Sequence, residues 1–497
     1  MLAPNDTIAE LRSSYRSGDV TAGEVIERHL ARIETFDAVV NSIVTINPHA
    51  ADDAARLDDH HRRTGTLRGP LHGLPVVIKD NIDVAGLATA FGSVAFAEHL
   101  ATRDAVLVTR LKDAGAVVLG KTTMPDFAAS WHGHSSRSGI TRNPYDTARD
   151  PGGSSSGSAA AVAAEFAVAG IGTDTGGSIR IPAALCGLVG LRPSVGLVSR
   201  TGTAALVRQQ DSPGPMARCV ADVAALLDVL AGWDHRDPDT ALPSATRRDG
   251  TFTDRITAGA LRGARIGVVR ELGAVDPAVA GEIDRALAAM RSRGAVLVEV
   301  ELPGLSGMLL ETSMYFLQSR RDLNEYLAHA GAPTQDVGEV VARGDFFAHL
   351  ALLPLVAAGP RDPCFDPAYA RALECRTHLR NAVAGLFAEY GLAALAYPTV
   401  RIGAPLWADV DAGTFEDGPA GRDRSPTSFP TNTLIAAQCA FPALTLPVGQ
   451  TGDGLPVGLE LLGLPHHDGD LLALAHDLEL ACPARPVPTD YQQVVNP

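Results

Sequence analysis

Residues 150–182, DPGGSSSGSAAAVAAEFAVAGIGTDTGGSIRIP, constrain the fold of this chain more than any other stretch. Glycine pairs and two hydroxyl clusters bracket a run of small apolar residues. Ser154, Ser155 and Ser156 lie at its start. Thr173, Asp174, Thr175, Gly176, Gly177 and Ser178 lie near its end. Between them, Ser158–Glu165 is Ala-rich and reads as a helix, and Phe166–Gly172 reads as a short buried strand. The second glycine pair therefore falls on a strand-to-helix turn. Paired glycines let successive N–H groups converge on one point, and the helix N-terminus beyond adds partial positive charge. A hydroxyl placed there has an oxyanion hole built around it.

The rest of the chain alternates strand and helix. Thr21-Ala22-Gly23-Glu24 matches a capping box, with Ile26, Leu30 and Ile33 following at helical spacing. A short strand is expected at Ser42–Ile46, a strand at Pro75–Ile78, a helix at Asp104–Ala114 and a strand at Ala116–Leu119. Further on come helix Val220–Ala231, strand Arg265–Val269, helix Pro277–Arg293 and strand Val296–Val300. Gly307–Glu389 reads as largely helical. Strand Ala393–Tyr397 leads into a long Gly- and Pro-rich loop, Gly403–Pro430. Strands Ala443–Pro447 and Pro456–Leu461 and helix Asp468–Ala481 close the pattern. The polar segment Asp234–Arg255 reads as a surface connection. With 497 residues, 46% of them hydrophobic, the chain can bury a large core. The alternation points to one large α/β domain spanning 1–497, with a mixed sheet covered by helices. Within it, 1–65 is a helical N-terminal region, 66–235 a catalytic core, 236–400 a mostly helical substrate-side region and 401–497 the returning strands and last helix.

Charge and composition exclude several classes. The net charge is −15, so no nucleic-acid partner is expected. No basic stretch followed by an apolar core opens the chain, and no apolar run reaches the ~18 residues that span a membrane. Six scattered cysteines without a C-x-x-C pair read as reduced thiols in a cytoplasmic protein.

Three short motifs invite other readings. Gly115-Ala-Val-Val-Leu-Gly120-Lys121-Thr122 fits a phosphate-loop pattern, yet its four intervening residues favour a strand, ending in a turn at Gly120-Lys121-Thr122, rather than a flexible cradle. Gly153-Ser154-Ser155-Ser156-Gly157 fits a nucleophile elbow centred on Ser155, but a turn-rich loop precedes it where a strand is required. His132-Gly133-His134 has metal-ligand spacing without companion ligands, so it reads as surface or pocket-rim histidines, and no metal is expected. His60-His61 and His466-His467 read as solvated. Of 42 basic residues only Lys79, Lys112 and Lys121 are lysines. Lys112 reads as solvated in a helix, whereas Lys79 and Lys121 end apolar runs. A buried lysine whose pKa falls from ~10.4 towards ~7–8 can act as a base. Lys79, Ser154 and Ser178 are therefore the preferred constellation.

These residues resemble the amidase signature family. The resemblance rests on PGGSSSGSAAAVAA and GIGTDTGGSIRIPAALCGLVGLRPSVGLVSR. HGLPVVIKDNIDVAG, GAVVLGKTTMPDFA, DSPGPMARCVADVAALLDVLAG and FPALTLPVGQTGDGLPVGLELLG also carry it, so it spans about Thr21 to Ala481. It implies a single α/β/α sandwich with a mixed, mostly parallel sheet, no cofactor, and a Ser–cis-Ser–Lys triad. Ser178 is then the nucleophile, Ser154 the proton-relaying cis serine and Lys79 the base. Thr175, Gly176, Gly177 and Ser178 supply oxyanion donors, with Ser155, Asp174 and Arg180 in support. A cis peptide is expected at Gly153–Ser154.

The resemblance sets the reaction class and leaves the amide open. GLVSRTGTAALVRQQDSPGPMAR is similar to peptide C-terminal amidases, which favours a stand-alone hydrolase of a small-molecule or peptide amide, monomeric or homodimeric. Substrate contacts are expected from Ser130, Trp131, His132, Gln209 and Gln210. The glutamine-using component of tRNA-dependent amidotransferases is one alternative. Tyr369 and Arg376 keep a spacing seen in that branch, whereas Pro426–Pro442 lacks the acidic residue that grips the glutamine amine there. An enzyme transferring the acyl group to an amine is another.

Overall fold

The computed structural model describes residues 6–246, 250–273, 275–412 and 429–495. Apolar runs become strands: β1 Ile43–Ile46, β2 Pro75–Lys79, β3 Val117–Thr122, β4 His134–Ser135, β5 Gly139–Ile140, β6 Ala169–Asp174, β7 Val189–Arg192, β8 Ser212–Ala217, β9 Arg265–Val269, β10 Val296–Val300, β11 Ala394–Pro398, β12 Ala443–Gln450 and β13 Pro456–Leu462. Eleven of them form one sheet in the order β1-β3-β2-β6-β8-β7-β12-β13-β11-β9-β10, and β4 pairs with β5 in a separate hairpin. The sheet is mixed and flanked by helices. Its parallel pairs lie in two blocks, β3-β2-β6 and β11-β9-β10, and every other neighbouring pair is antiparallel.

The first parallel block places the chemistry. PVVIK in β2 is buried at every position, as expected of a strand covered on both faces. It pairs in parallel with β3, Lys79 opposite Thr122, and with β6, Ile78 opposite Ile171. Parallel strands end together, so Lys79, Thr122 and Thr173-Asp174 emerge at one carboxyl edge, where open α/β sheets receive ligands. Helix Ser156–Ala163 is buried throughout and packs against β2, β3 and β6. It seats closely because Gly157 has no side chain. A Cβ there would collide with Ser42 O and the backbone of Thr123.

Local signals translate well. Thr21 and Glu24 form the capping box of helix Ala22–Val40. Gly307–Glu389 holds most of helix Leu305–Glu311, all of helices Tyr315–His329, Val337–Arg343 and Leu352–Ala357, and nearly all of Pro367–Tyr390. Three expectations shift. The strand expected at Phe166–Gly172 runs instead over Ala169–Asp174, because pairing with β2 begins at Ala169. Gly120-Lys121-Thr122 lies inside β3 rather than in a turn after it, so no phosphate loop exists here. Asp234–Arg255 is a surface connection only in part. Asp234, Asp237 and Thr240 are buried, with Asp234 accepting from Ser199 and Thr201 and Asp237 paired with Arg200. Most of loop Gly403–Pro430 lies outside the described residues. Among the described residues, no helix is long and apolar enough to cross a membrane. All six cysteines are free thiols.

Candidate active site

Lys79 is fully buried at the end of β2. Its Nζ lies 2.8 Å from Ser154 Oγ, 2.9 Å from Thr173 Oγ1 and 3.5 Å from Thr173 O. Among the described residues no carboxylate is within ion-pair distance of it. Burial pulls its pKa down to about 7, against Asp174 and Asp211, which raise it. Charged, the amine can donate to all three oxygens; uncharged, it keeps two N–H donors for Thr173 and frees one lone pair to accept from the Ser154 hydroxyl. Asn81 Nδ2 donates to the same Thr173 Oγ1 at 3.1 Å.

Ser154 follows a cis Gly153–Ser154 peptide bond. Ser178 reaches the same place from the other end of the motif, because Ser155 N donates to Ser178 O at 3.1 Å. Ser155 Oγ is held between the N–H and the carbonyl of Thr173, each at 3.3 Å. A hydrogen bond between the Ser154 and Ser178 hydroxyls is not formed in this state. Contacts of that kind commonly tighten when substrate binds.

The turn Thr175–Ser178 is shaped by a buried ionic network. Asp174 accepts from Arg180 Nε and NH2, both at 3.0 Å, and from Arg192 NH1 at 3.1 Å. Arg180 also reaches Glu460 at 2.5 Å, and Tyr397 donates to Glu460 at 2.9 Å. Burial pushes the Asp174 carboxyl up, but Arg180 and Arg192 outweigh it and hold it well below the usual range. Removing one partner from so buried a set leaves an uncompensated charge. The network also governs which amides stay free. Gly177 N donates to Asp174 Oδ1 at 2.9 Å, so this one of the four expected oxyanion donors is already used. Among the described residues no acceptor is bonded to the N–H of Thr175, Gly176 or Ser178.

Gly177 has φ +136°, and a Cβ there would run into the Thr433 side chain. Thr433 Oγ1 donates to Gly176 O at 2.6 Å. Gly177→Ala is expected to remain folded yet lose about 100-fold in kcat, because an ångström of misplacement at the reacting centre has that effect. Ammonia release assayed beside a thermal melt checks it.

The expected substrate contacts divide. Trp131 stacks edge-on against Tyr315 at 6.3 Å, and both rings roof Gly176. His132 and His134 are buried rather than at the surface. His132 Nδ1 bonds Asp150 at 2.6 Å, and His134 stacks on Phe347 at 4.7 Å. The His132 backbone packs directly on Gly153. No group of residues able to hold a metal occurs among the described residues. Ser130 Oγ contacts His134 Nε2 at 3.3 Å and accepts from His132 N at 3.1 Å. Gln209 donates to Tyr369 OH at 2.9 Å. Gln210 is fully buried, its amide engaged by Thr175 O and Arg376. His466 and His467 are exposed, His60 and His61 half-buried. Lys112 is half-buried and paired with Asp104. Sequence reasoning missed Asn81, Arg192, Asp211, Tyr315, Thr433 and Glu460. Asn81 sits two residues after Lys79 and was within reach of the motif. Arg192, Asp211 and Glu460 lie within stretches that carry the family resemblance but have no spacing that sets them apart, and Tyr315 and Thr433 come from segments outside those stretches.

A buried, ion-pair-free lysine touching a serine hydroxyl, beside a glycine turn with free N–H groups, suits an enzyme that works by acyl transfer. The Amidase family model matches residues 24–472, and the chain belongs to that family. A glutamyl-tRNA(Gln) amidotransferase component from Symbiobacterium thermophilum, its A-type polypeptide, is 36% identical over 487 residues, 94% of this chain and 95% of its own length. The peptide amidase of Stenotrophomonas maltophilia superposes with a TM-score of 0.85 at 36% identity, covering 97% of this chain and 98% of its own. An amidase family protein of Bacillus anthracis superposes with a TM-score of 0.84 at 28% identity, covering 97% and 92%. The protein is an enzyme acting on amide C–N bonds.

Proposed function

We propose that the protein hydrolyses a small-molecule or peptide carboxamide through an acyl-Ser178 intermediate, giving a carboxylic acid and ammonia or an amine. The observation that carries this reading is the Lys79 amine, buried without a carboxylate partner among the described residues and 2.8 Å from Ser154 Oγ. Neutral Lys79 takes the proton of Ser154 as Ser154 takes that of Ser178. Ser178 Oγ bonds to the amide carbon, and the carbonyl electrons move onto the oxygen, facing the N–H groups of Thr175, Gly176 and Ser178. The relay then returns the proton to the nitrogen, the C–N bond breaks and amine leaves. Water repeats the sequence on the ester and frees the acid. Asp174 and Arg180 hold the turn, and Ser155 ties the two serine clusters together.

A second reading is favoured by one observation. Arg376 is buried, donates to Gln210 Oε1 at 2.5 Å and has no carboxylate partner among the described residues. Such a cation suits a substrate carboxylate, such as that of glutamine. The amidotransferase components among the relatives make a glutaminase role within a larger assembly the natural form of this reading. Against it, Pro426–Pro442 carries no acidic residue for the glutamine amine.

Incubating the purified chain with peptide amides, aryl amides and glutamine separates the two, with intact-mass detection of the acyl-enzyme. A stand-alone amidase cleaves amides alone and gains the acyl mass at Ser178. Glutaminase activity appearing only with added partner proteins sinks the first reading. Condensed amide in excess of free acid when an amine is supplied reassigns the acyl-enzyme to transfer.

A further inference from the structure

We propose that Gln210 is a positioning residue that aims the Gly176 N–H into the oxyanion site. The proposal rests on the acyl-serine reading above and concerns a residue that does not itself face the reacting atoms.

Peptide planarity links each carbonyl of the turn to the N–H that follows it. In a trans peptide the carbonyl of one residue and the N–H of the next point in opposite directions within one plane. Whatever grips the Thr175 carbonyl therefore sets the direction of the Gly176 N–H. Gln210 Nε2 donates to Thr175 O at 2.7 Å. The same logic operates along the turn. Thr433 Oγ1 holds Gly176 O, which sets the Gly177 N–H towards Asp174. Ile181 N holds Gly177 O at 2.7 Å, which sets the Ser178 N–H. Each carbonyl has one clamp, and the clamp on Thr175 is a side chain from a separate loop. The peptide it holds adjoins two consecutive glycines, where backbone rotation is least hindered.

The far end of Gln210 fixes which way its amide faces. Arg376 NH1 can only donate, and it bonds Oε1. The NH2 group is thereby left for Thr175 O. The orientation follows from chemistry rather than from assignment of O and N. Burial draws the Arg376 pKa down to about 10, in keeping with a guanidinium that has no carboxylate partner among the described residues. The Gln210 backbone is anchored as well. Arg192 NH2 donates to Gln210 O at 2.5 Å, while Arg192 NH1 holds Asp174 O at 2.5 Å. The next residue, Asp211, accepts from Thr175 Oγ1 at 2.6 Å. Gln210 and Asp211 together grip Thr175 at its carbonyl and its hydroxyl.

Two variants test the role. Gln210→Met keeps the volume and loses the donor. Gln210→Glu keeps the shape and the bond to Arg376 and loses the donor to Thr175. Each is assayed on the best amide of the panel, with two inhibitors: the matching aldehyde, whose adduct with Ser178 carries an oxyanion, and the product acid. The expected result is a fall in kcat of about 100-fold with KM within about twofold, the aldehyde weakened in parallel and the product acid unchanged. A purely structural role would not split aldehyde from acid. If kcat and aldehyde affinity stay at wild-type values in the folded variants, the proposal is overturned. It is overturned equally if KM and both inhibition constants rise together at constant kcat, since Gln210 would then be a substrate contact. Failure of the wild-type enzyme to prefer aldehyde over acid would instead refute the acyl-serine reading itself.

Discussion

Ser178→Ala is expected to lower turnover by about 10⁴- to 10⁶-fold while the protein stays folded. The size of the effect follows from the division of labour in the site. The nucleophile forms the bond, so without it catalysis falls to what substrate binding and oxyanion donors alone can supply. The fold survives because position 178 is held through its backbone, the carbonyl accepting from Ser155 N, and the hydroxyl has no bond that the packing needs. Steady-state rates beside a circular dichroism melt measure both halves of the expectation. Retention of more than a few per cent of wild-type kcat in a folded Ser178→Ala protein would falsify the assignment of the nucleophile.

On the proposed mechanism Lys79 is the base, and it is expected to give the second large effect, with a pH profile as its signature. The base must be uncharged to accept a proton. With its pKa pulled down to about 7 by burial, the amine is protonated and inactive below pH 7 and free above it. The sign is therefore a kcat/KM that rises about tenfold per pH unit up to about 7 and levels off beyond. An exposed lysine would keep the rise going to about pH 10. Lys79→Met removes the base and should cost about 10²- to 10⁴-fold, with the remaining activity no longer showing that rise. A wild-type profile flat from pH 5 to 9, or a Lys79→Met variant retaining the limb near 7, assigns the proton acceptor elsewhere.

Much of the site is legible in residues 150–182 and in the strand ending at Lys79, because its chemistry and its turn geometry are local. A glycine pair after an apolar run makes a turn whatever surrounds it, and a lysine closing PVVIK sits at a strand end. The apolar run before that lysine is all that hints at its burial in sequence. The fold buries it by running parallel strands on either side of β2. Other local readings fail for a definite reason. Gly120-Lys121-Thr122 reads as a turn because glycine usually ends a strand. Here its missing side chain admits Thr45 O from the antiparallel neighbour β1, so the strand continues. The polar Asp234–Arg255 segment reads as solvated because its partners, Ser199, Thr201 and Arg200, lie in another loop.

By itself the sequence determined the α/β class, the capping box at Thr21, the glycine turn, and the lysine and serines offered for chemistry. These depend on backbone preference and on the alternation of apolar residues over a few positions. Only the tertiary structure decided that Gly177 spends its N–H on Asp174, that Thr433 and Gln210 grip the neighbouring carbonyls, and that Arg376 is buried without a carboxylate partner among the described residues. The Gly177–Asp174 bond is local, but its direction is set by Thr433 on the Gly176 carbonyl, and the other contacts join segments far apart in the chain; hydrogen-bond direction exists only once the sheet order has brought donor and acceptor face to face.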